Sequence, residues 1–131
     1  MTGERDLKKL LTNMAPELDP ARYAFLTVPA GALRDIESLM RFSESEGDTL
    51  IVAEDWIPDT VVDDGRRYRR ITLAVHSSLD AVGLTAAFAS RLTLAGISAN
   101  VVAGYFHDHI FVPEADAEVA MDALENLTAS S

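Results

Sequence analysis

His107-Asp108-His109 places three groups able to bind a divalent metal in a row, and the only other histidine, His76, ends an alternating apolar run. Imidazole and carboxylate together suit zinc or a related ion. Neighbouring side chains on a strand point to opposite faces, so at most two of the three in the row converge. A second reading stays open, in which the run is a hairpin turn whose histidines hydrogen-bond backbone groups. Just after His76, Ser77-Ser78 offers a helix cap, and Asp80 falls in the first turn, where the helix dipole favours an acid. The first N–H groups of a helix lack internal partners and can receive a carboxylate. Gly83 costs about 1 kcal/mol against alanine inside a helix. Its presence is explained either by plain packing or by close approach of a ligand or a strand.

Arg66, Arg67, Arg69 and Arg70 form the one basic cluster. They read as a solvated strand edge pairing with nearby carboxylates, in preference to a phosphate or single-stranded nucleic-acid site. Trp56 reads as a cover for core at a strand end. There is no G-x-S-x-G, P-loop or G-x-G-x-x-G pattern, and Asp63-Asp64 falls in a connector without an acid–base partner. The expectation is a chain that is not an enzyme and carries no cofactor.

At 131 residues and 48% apolar content the chain suffices for one domain or two very small ones. A net charge of −10 argues against nucleic acid, whose phosphates call for a basic footprint. No run of eighteen apolar residues or leader pattern is visible, and there is no cysteine. These features predict a cytoplasmic protein with no membrane partner.

The elements that would position the candidate residues follow from periodicity. Leu7, Leu10, Leu11 and Met14 predict a helix, broken across residues 15–20. Residues 23–28 predict a strand, 33–41 a short helix, 43–48 a turn and 49–53 a strand. The stretch 54–68 is a connector, and the boundary lies there, giving halves 1–64 and 65–131. Residues 68–75 alternate as a strand, and 79–94 predict a helix with Gly96 as its cap. Residues 98–105 and 109–112 predict a hairpin. A last helix carries Ala117, Met121, Leu124 and Leu127 on one stripe and acids on its other faces. Strand, helix, strand, strand, helix is the ferredoxin-like series without its closing strand.

Ser77-Ser78-Leu79-Asp80-Ala81-Val82-Gly83-Leu84 and Leu92-Thr93-Leu94-Ala95-Gly96-Ile97-Ser98-Ala99-Asn100 resemble the two signature segments of the ACT domain. Val82 stands where the family often has proline. Residues 102–113, with Glu46-Gly47-Asp48-Thr49-Leu50-Ile51-Val52 in the first half, are similar to small bacterial tandem ACT-like proteins. They are more distantly similar to the ACT repeats of the eukaryotic cytosolic arginine sensor of the TOR pathway. The resemblance covers residues 68–127 well and 22–54 loosely.

The resemblance implies an α+β, ferredoxin-like (βαββαβ, ACT-type) two-layer sandwich with two ACT-like halves, the first irregular. It implies a regulatory module that binds a small ligand, an amino acid first of all, and passes occupancy to a protein partner. The ligand-binding residues it points to are His76, Ser77, Ser78, Leu79, Val82, Gly83, Leu84, Ser98, Asn100 and Asp108. In ACT dimers a residue at the place of Asn100 reaches the ligand of the neighbouring subunit, and Asp108 or a histidine would contact the ammonium or side chain of the amino acid. The family topology also gathers His76, His107 and His109 at one rim, which keeps open a small metal-binding protein or metal-dependent enzyme, beside a ligand-free protein-interaction adaptor. The missing strand predicts help from the first half or from a homodimer, because an uncovered sheet edge is a pairing hazard.

Overall fold

The computed structural model describes residues 15–73 and 84–129. The chain divides into two compact units, one formed by Pro20–Tyr68 and the other by Arg69 onward together with the stretch ending at Asp19.

In the first unit three antiparallel strands lie in the order β2-β3-β1, with β1 Pro16–Val28, β2 Met40–Glu44 and β3 Gly47–Ala53. Alternation along β1 and β3 sends Ala24, Leu26, Val28, Leu50 and Val52 to one face, where they are buried. Ala32, Leu33, Ile36, Ile57 and Val61 cover them. No helix spans 33–41, contrary to the periodicity. Gly31 and Leu33 take left-handed φ of 76° and 56°, which a right-handed helix start cannot use. The stretch instead closes isolated turns through Ala32 N–H to Pro29 O and Ile36 N–H to Leu33 O. Arg41, expected at the helix end, already lies in β2 opposite Leu50. The turn expected over 43–48 shrinks to Ser45 and Glu46. Trp56 does not cover core; it is 57% exposed in a single 3-10 turn, Glu54–Trp56.

The second unit contains β4 Tyr68–Leu73 from Arg69 on, α1 from Leu84 to Leu94, β5 Asn100–Ala103, β6 Asp108–Pro113 and α2 Ala117–Ala129. Ile71 and Leu73 of β4, with Ile110 and Val112 of β6, form the floor of a core. Phe88 and Leu92 of α1 and Ala117, Ala120 and Leu124 of α2 roof it. The apolar stripe expected on the last helix is the one buried, while Glu118, Asp122 and Glu125 are exposed. Gly96 caps α1 as expected: its φ is 76°, its N–H reaches Thr93 O at 2.9 Å, and Ile97 N–H reaches Leu92 O at 3.0 Å. That pair of bonds is the Schellman arrangement, which needs a left-handed residue at this point.

Residues 15–20 are not a break, because β1 already runs from Pro16. Its first residues fold with the second unit, where β1 flanks β4 in the sheet order β1-β4-β6-β5. Leu18 packs on that core, Asp19 O accepts two bonds from Arg69 at 2.9 and 3.0 Å, and the Asp19 carboxylate takes Arg70 at 2.7 Å. The strand missing from the second half is thus supplied by a segment that precedes the first unit in sequence.

Candidate functional site

The hairpin between β5 and β6 fixes the described part of the rim. Ala103 pairs with Asp108, and Gly104 N–H donates to His107 O at 2.9 Å to close the turn. The approach is close: a Cβ on Gly104 would lie 2.7 Å from His107 O and 3.3 Å from His109 Nε2. Along β6, Asp108 shares its face with the buried Ile110 and Val112, whereas His109 points to the opposite face. His109 Nδ1 lies 3.0 Å from Thr72 Oγ1 on the neighbouring β4. Burial, then the charge of Arg70 and of His107, lowers the His109 pKa. Burial likewise raises the Asp108 carboxyl above its ordinary range. Among the described residues its carboxylate takes no hydrogen bond or ion pair.

The expected site residues divide by position. His76, Ser77, Ser78, Leu79, Val82 and Gly83 lie outside the described residues, and Leu84 is the first described residue of α1. Ser98 is exposed before β5. Asn100 pairs with Phe111 and its Nδ2 donates to Phe111 O at 3.2 Å. That rung is three residues from Ala103–Asp108, about 10 Å along the strand, and on the other face. Asn100 and Asp108 therefore do not share one cavity within the unit. Among the described residues no group of three histidine, aspartate or glutamate side chains is placed to hold a metal ion.

Three arginines of the cluster, Arg66, Arg67 and Arg70, pair with carboxylates as expected, while Arg69 donates to the Asp19 carbonyl. Arg67 donates Nε to Glu54 at 2.6 Å and both terminal nitrogens to Asp63 at 3.0 and 2.7 Å. This fork, helped by the Gly65 N–H, holds the Asp63 carboxyl down to about 2. Arg66 pairs with Asp64 and Arg70 with Asp19. Glu54, Asp63 and Arg67 also line a shallow pocket of about 320 Å³ with Ile57, Pro58, Asp59 and Val61.

One arrangement in the first unit was not singled out from sequence. Asp48, only 4% exposed, accepts at Oδ2 from the Gly31 N–H at 3.0 Å and from Arg41 Nη1 at 2.6 Å. The run Glu46-Gly47-Asp48 marked a family resemblance, yet an aspartate beside a turn glycine reads as solvated until its partner 17 residues away is known.

Comparison with known proteins bears on both halves. The ACT domain family matches residues 2–56, and a second ACT domain family matches residues 66–126. This chain is a tandem ACT-domain protein. A Vibrio cholerae protein of unknown function shares 46% identity, with 93% of this chain and 95% of that one covered at a TM-score of 0.82. The ligand-free regulatory subunit of aspartate kinase from Thermus thermophilus is 10% identical, with a TM-score of 0.65 over 86% of this chain and 95% of that one. Aspartate kinase from Clostridium acetobutylicum is 9% identical with a TM-score of 0.63, this chain covering 34% of it. At these identities the two kinase likenesses establish the shared fold. No curated protein matches. Among the described residues no helix is long and apolar enough to cross a membrane.

Proposed function

We propose that this tandem ACT protein is a non-catalytic regulatory module of the cytoplasm that binds an amino acid and signals its occupancy to a partner protein. The observation that carries the reading is the tandem itself: two ACT matches in one chain, arranged in the fold that the regulatory subunit of an aspartate kinase also adopts. The ligand site of this proposal is the start of the helix in the second half. His76, Ser77, Ser78, Leu79, Val82, Gly83 and Leu84 surround the ligand carboxylate there, and Asp108 takes its ammonium. Asp108 supports the role because it is a half-buried carboxylate without a bond among the described residues. The separation of Asn100 from Asp108 supports the dimer part of the proposal, in which Ser98 and Asn100 serve the site of a second copy.

A thermal-shift panel with the twenty amino acids, and with zinc in the presence and absence of chelator, tests the proposal. Arginine and aspartate-derived amino acids head the panel, the first from the sequence resemblance and the others from the structural relatives. A ligand at a hundred times its dissociation constant stabilises by about 2.7 kcal/mol, a melting shift of roughly 10 °C for a chain of this length. A shift with one amino acid that Asp108→Ala removes supports the reading. A shift with zinc alone supports the histidine rim instead, and no shift at all refutes amino-acid sensing.

A further inference from the structure

We propose that Gly31 and Arg41 form a carboxylate-binding site that the chain fills from within, Asp48 occupying it as a built-in ligand. The site lies wholly in the Pro20–Tyr68 unit and is independent of the rim proposed above. Asp48 sits on β3 with Val28 opposite on one side and Ser43 opposite on the other, so its side chain projects from the central strand of the three. Its Oδ2 receives the Gly31 N–H at 3.0 Å and Arg41 Nη1 at 2.6 Å. A backbone N–H from a left-handed glycine joined to a guanidinium is the donor pair that suits a free carboxylate.

The same guanidinium ties the loop to the anion. Arg41 Nη2 donates to Ala32 O at 2.6 Å and to Leu33 O at 2.9 Å. Leu33 is thereby held at a φ of 56°, a conformation that disfavours a branched side chain. Arg34 lies against Gly31, its Nη2 3.1 Å from where a Cβ would stand, and its charge also bears on Asp48. One guanidinium in contact with the carboxylate, with the Arg34 charge acting from farther off, makes this a local cationic seat in a chain of net charge −10. The Gly31 bond first and Arg41 second hold the Asp48 carboxyl below its ordinary range, so it stays ionised through the neutral region. Because the anion is covalently part of β3, this loop is organised with no external ligand present.

Chemical rescue tests the inference. Asp48→Ala vacates the seat while leaving its donors, so sodium formate should raise the melting temperature of this variant. At ten times the formate dissociation constant the rise is about 5 °C over sodium chloride of equal ionic strength. The unaltered chain, and Asp48→Asn, whose amide still fills the space, should show no formate-specific rise. Asp48→Ala combined with Arg41→Met should lose the rescue. A rise in Asp48→Ala no larger than in the unaltered chain overturns the inference, as does a rise that survives loss of Arg41. If Asp48→Ala does not fold in chloride, its refolding yield from urea is read with and without formate. Recovery only with formate upholds the built-in ligand, and no recovery in either overturns it.

Discussion

Gly104→Ala perturbs the hairpin that sets the rim, and the structure fixes the size of its effect. The new methyl would stand 2.7 Å from His107 O and 3.3 Å from His109 Nε2. The first contact falls about 0.7 Å inside ordinary van der Waals separation, and the obstacle is backbone, so the turn must open. Opening it loses the Gly104 N–H bond to His107 O, about 1 kcal/mol, and adds about 1 kcal/mol of backbone displacement. At about 2.1 cal/mol/K of unfolding entropy per residue over 131 residues, about 2 kcal/mol lowers the melting temperature by about 7 °C. Displacing the hairpin also exposes the His109 ring, whose pKa is lowered first by burial, so its titration should move up toward ordinary imidazole. Calorimetry gives the melting point and proton NMR the His109 titration. Gly96→Ala is the control: it carries a left-handed backbone penalty of about 1 kcal/mol but meets nothing within 4 Å. It should cost about 4 °C and leave the His109 titration where it was. A Gly104→Ala protein that melts within 1 °C of the unaltered chain, with His109 unmoved, would refute the claim that this turn positions the rim.

Phe88 of α1 is fully buried in the core of the second unit, and Phe88→Ala should cost about 3–5 kcal/mol, a fall of about 11–18 °C by calorimetry. Asp108 has a folded pKa above its unfolded one, so ionising it opposes folding at neutral pH. Asp108→Asn should therefore melt higher than the unaltered chain at pH 7, and the difference should vanish below the ordinary carboxylate range, where both states are protonated. Asp63 has the opposite sign: its carboxyl, held down to about 2, adds stability above 3.8 that is lost as pH falls toward 2. Arg67→Gln should remove much of that acid-limb loss in urea titrations run from pH 5 to pH 2.

The second half was legible because its signals are local and repeated. The stripe Ala117, Leu124 and Leu127, the alternation of Ile71 and Leu73, and the glycine after Leu94 each name an element without outside help, and each is present. The first half misled where local and distant forces differ. Leu33, Ile36, Leu39 and Met40 have helical spacing, yet the Arg41 bonds to Ala32 O and Leu33 O and the pairing of β2 with β3 impose turns and then a strand on them. The prolines at 16 and 20 signalled a break, because nothing nearby in sequence reveals that Asp19 is held by Arg69 and Arg70 fifty residues on. Of the rim, the sequence located Asp108 and His109 on a hairpin, but Thr72 was merely an outward residue of an alternating strand until its bond to His109 was seen. The spacing of Asn100 from Asp108 depended on register, which one extra residue in the turn would have changed.

The most direct test of amino-acid sensing is a map of where the stabilising amino acid of the panel binds, read from backbone amide shifts of the labelled protein. The account predicts saturable changes at residues 76–84 and at 104–109, weakened by Asp108→Ala, with the turn around Gly31 unmoved. Changes confined to the Pro20–Tyr68 unit, or none at saturating amino acid, would contradict it.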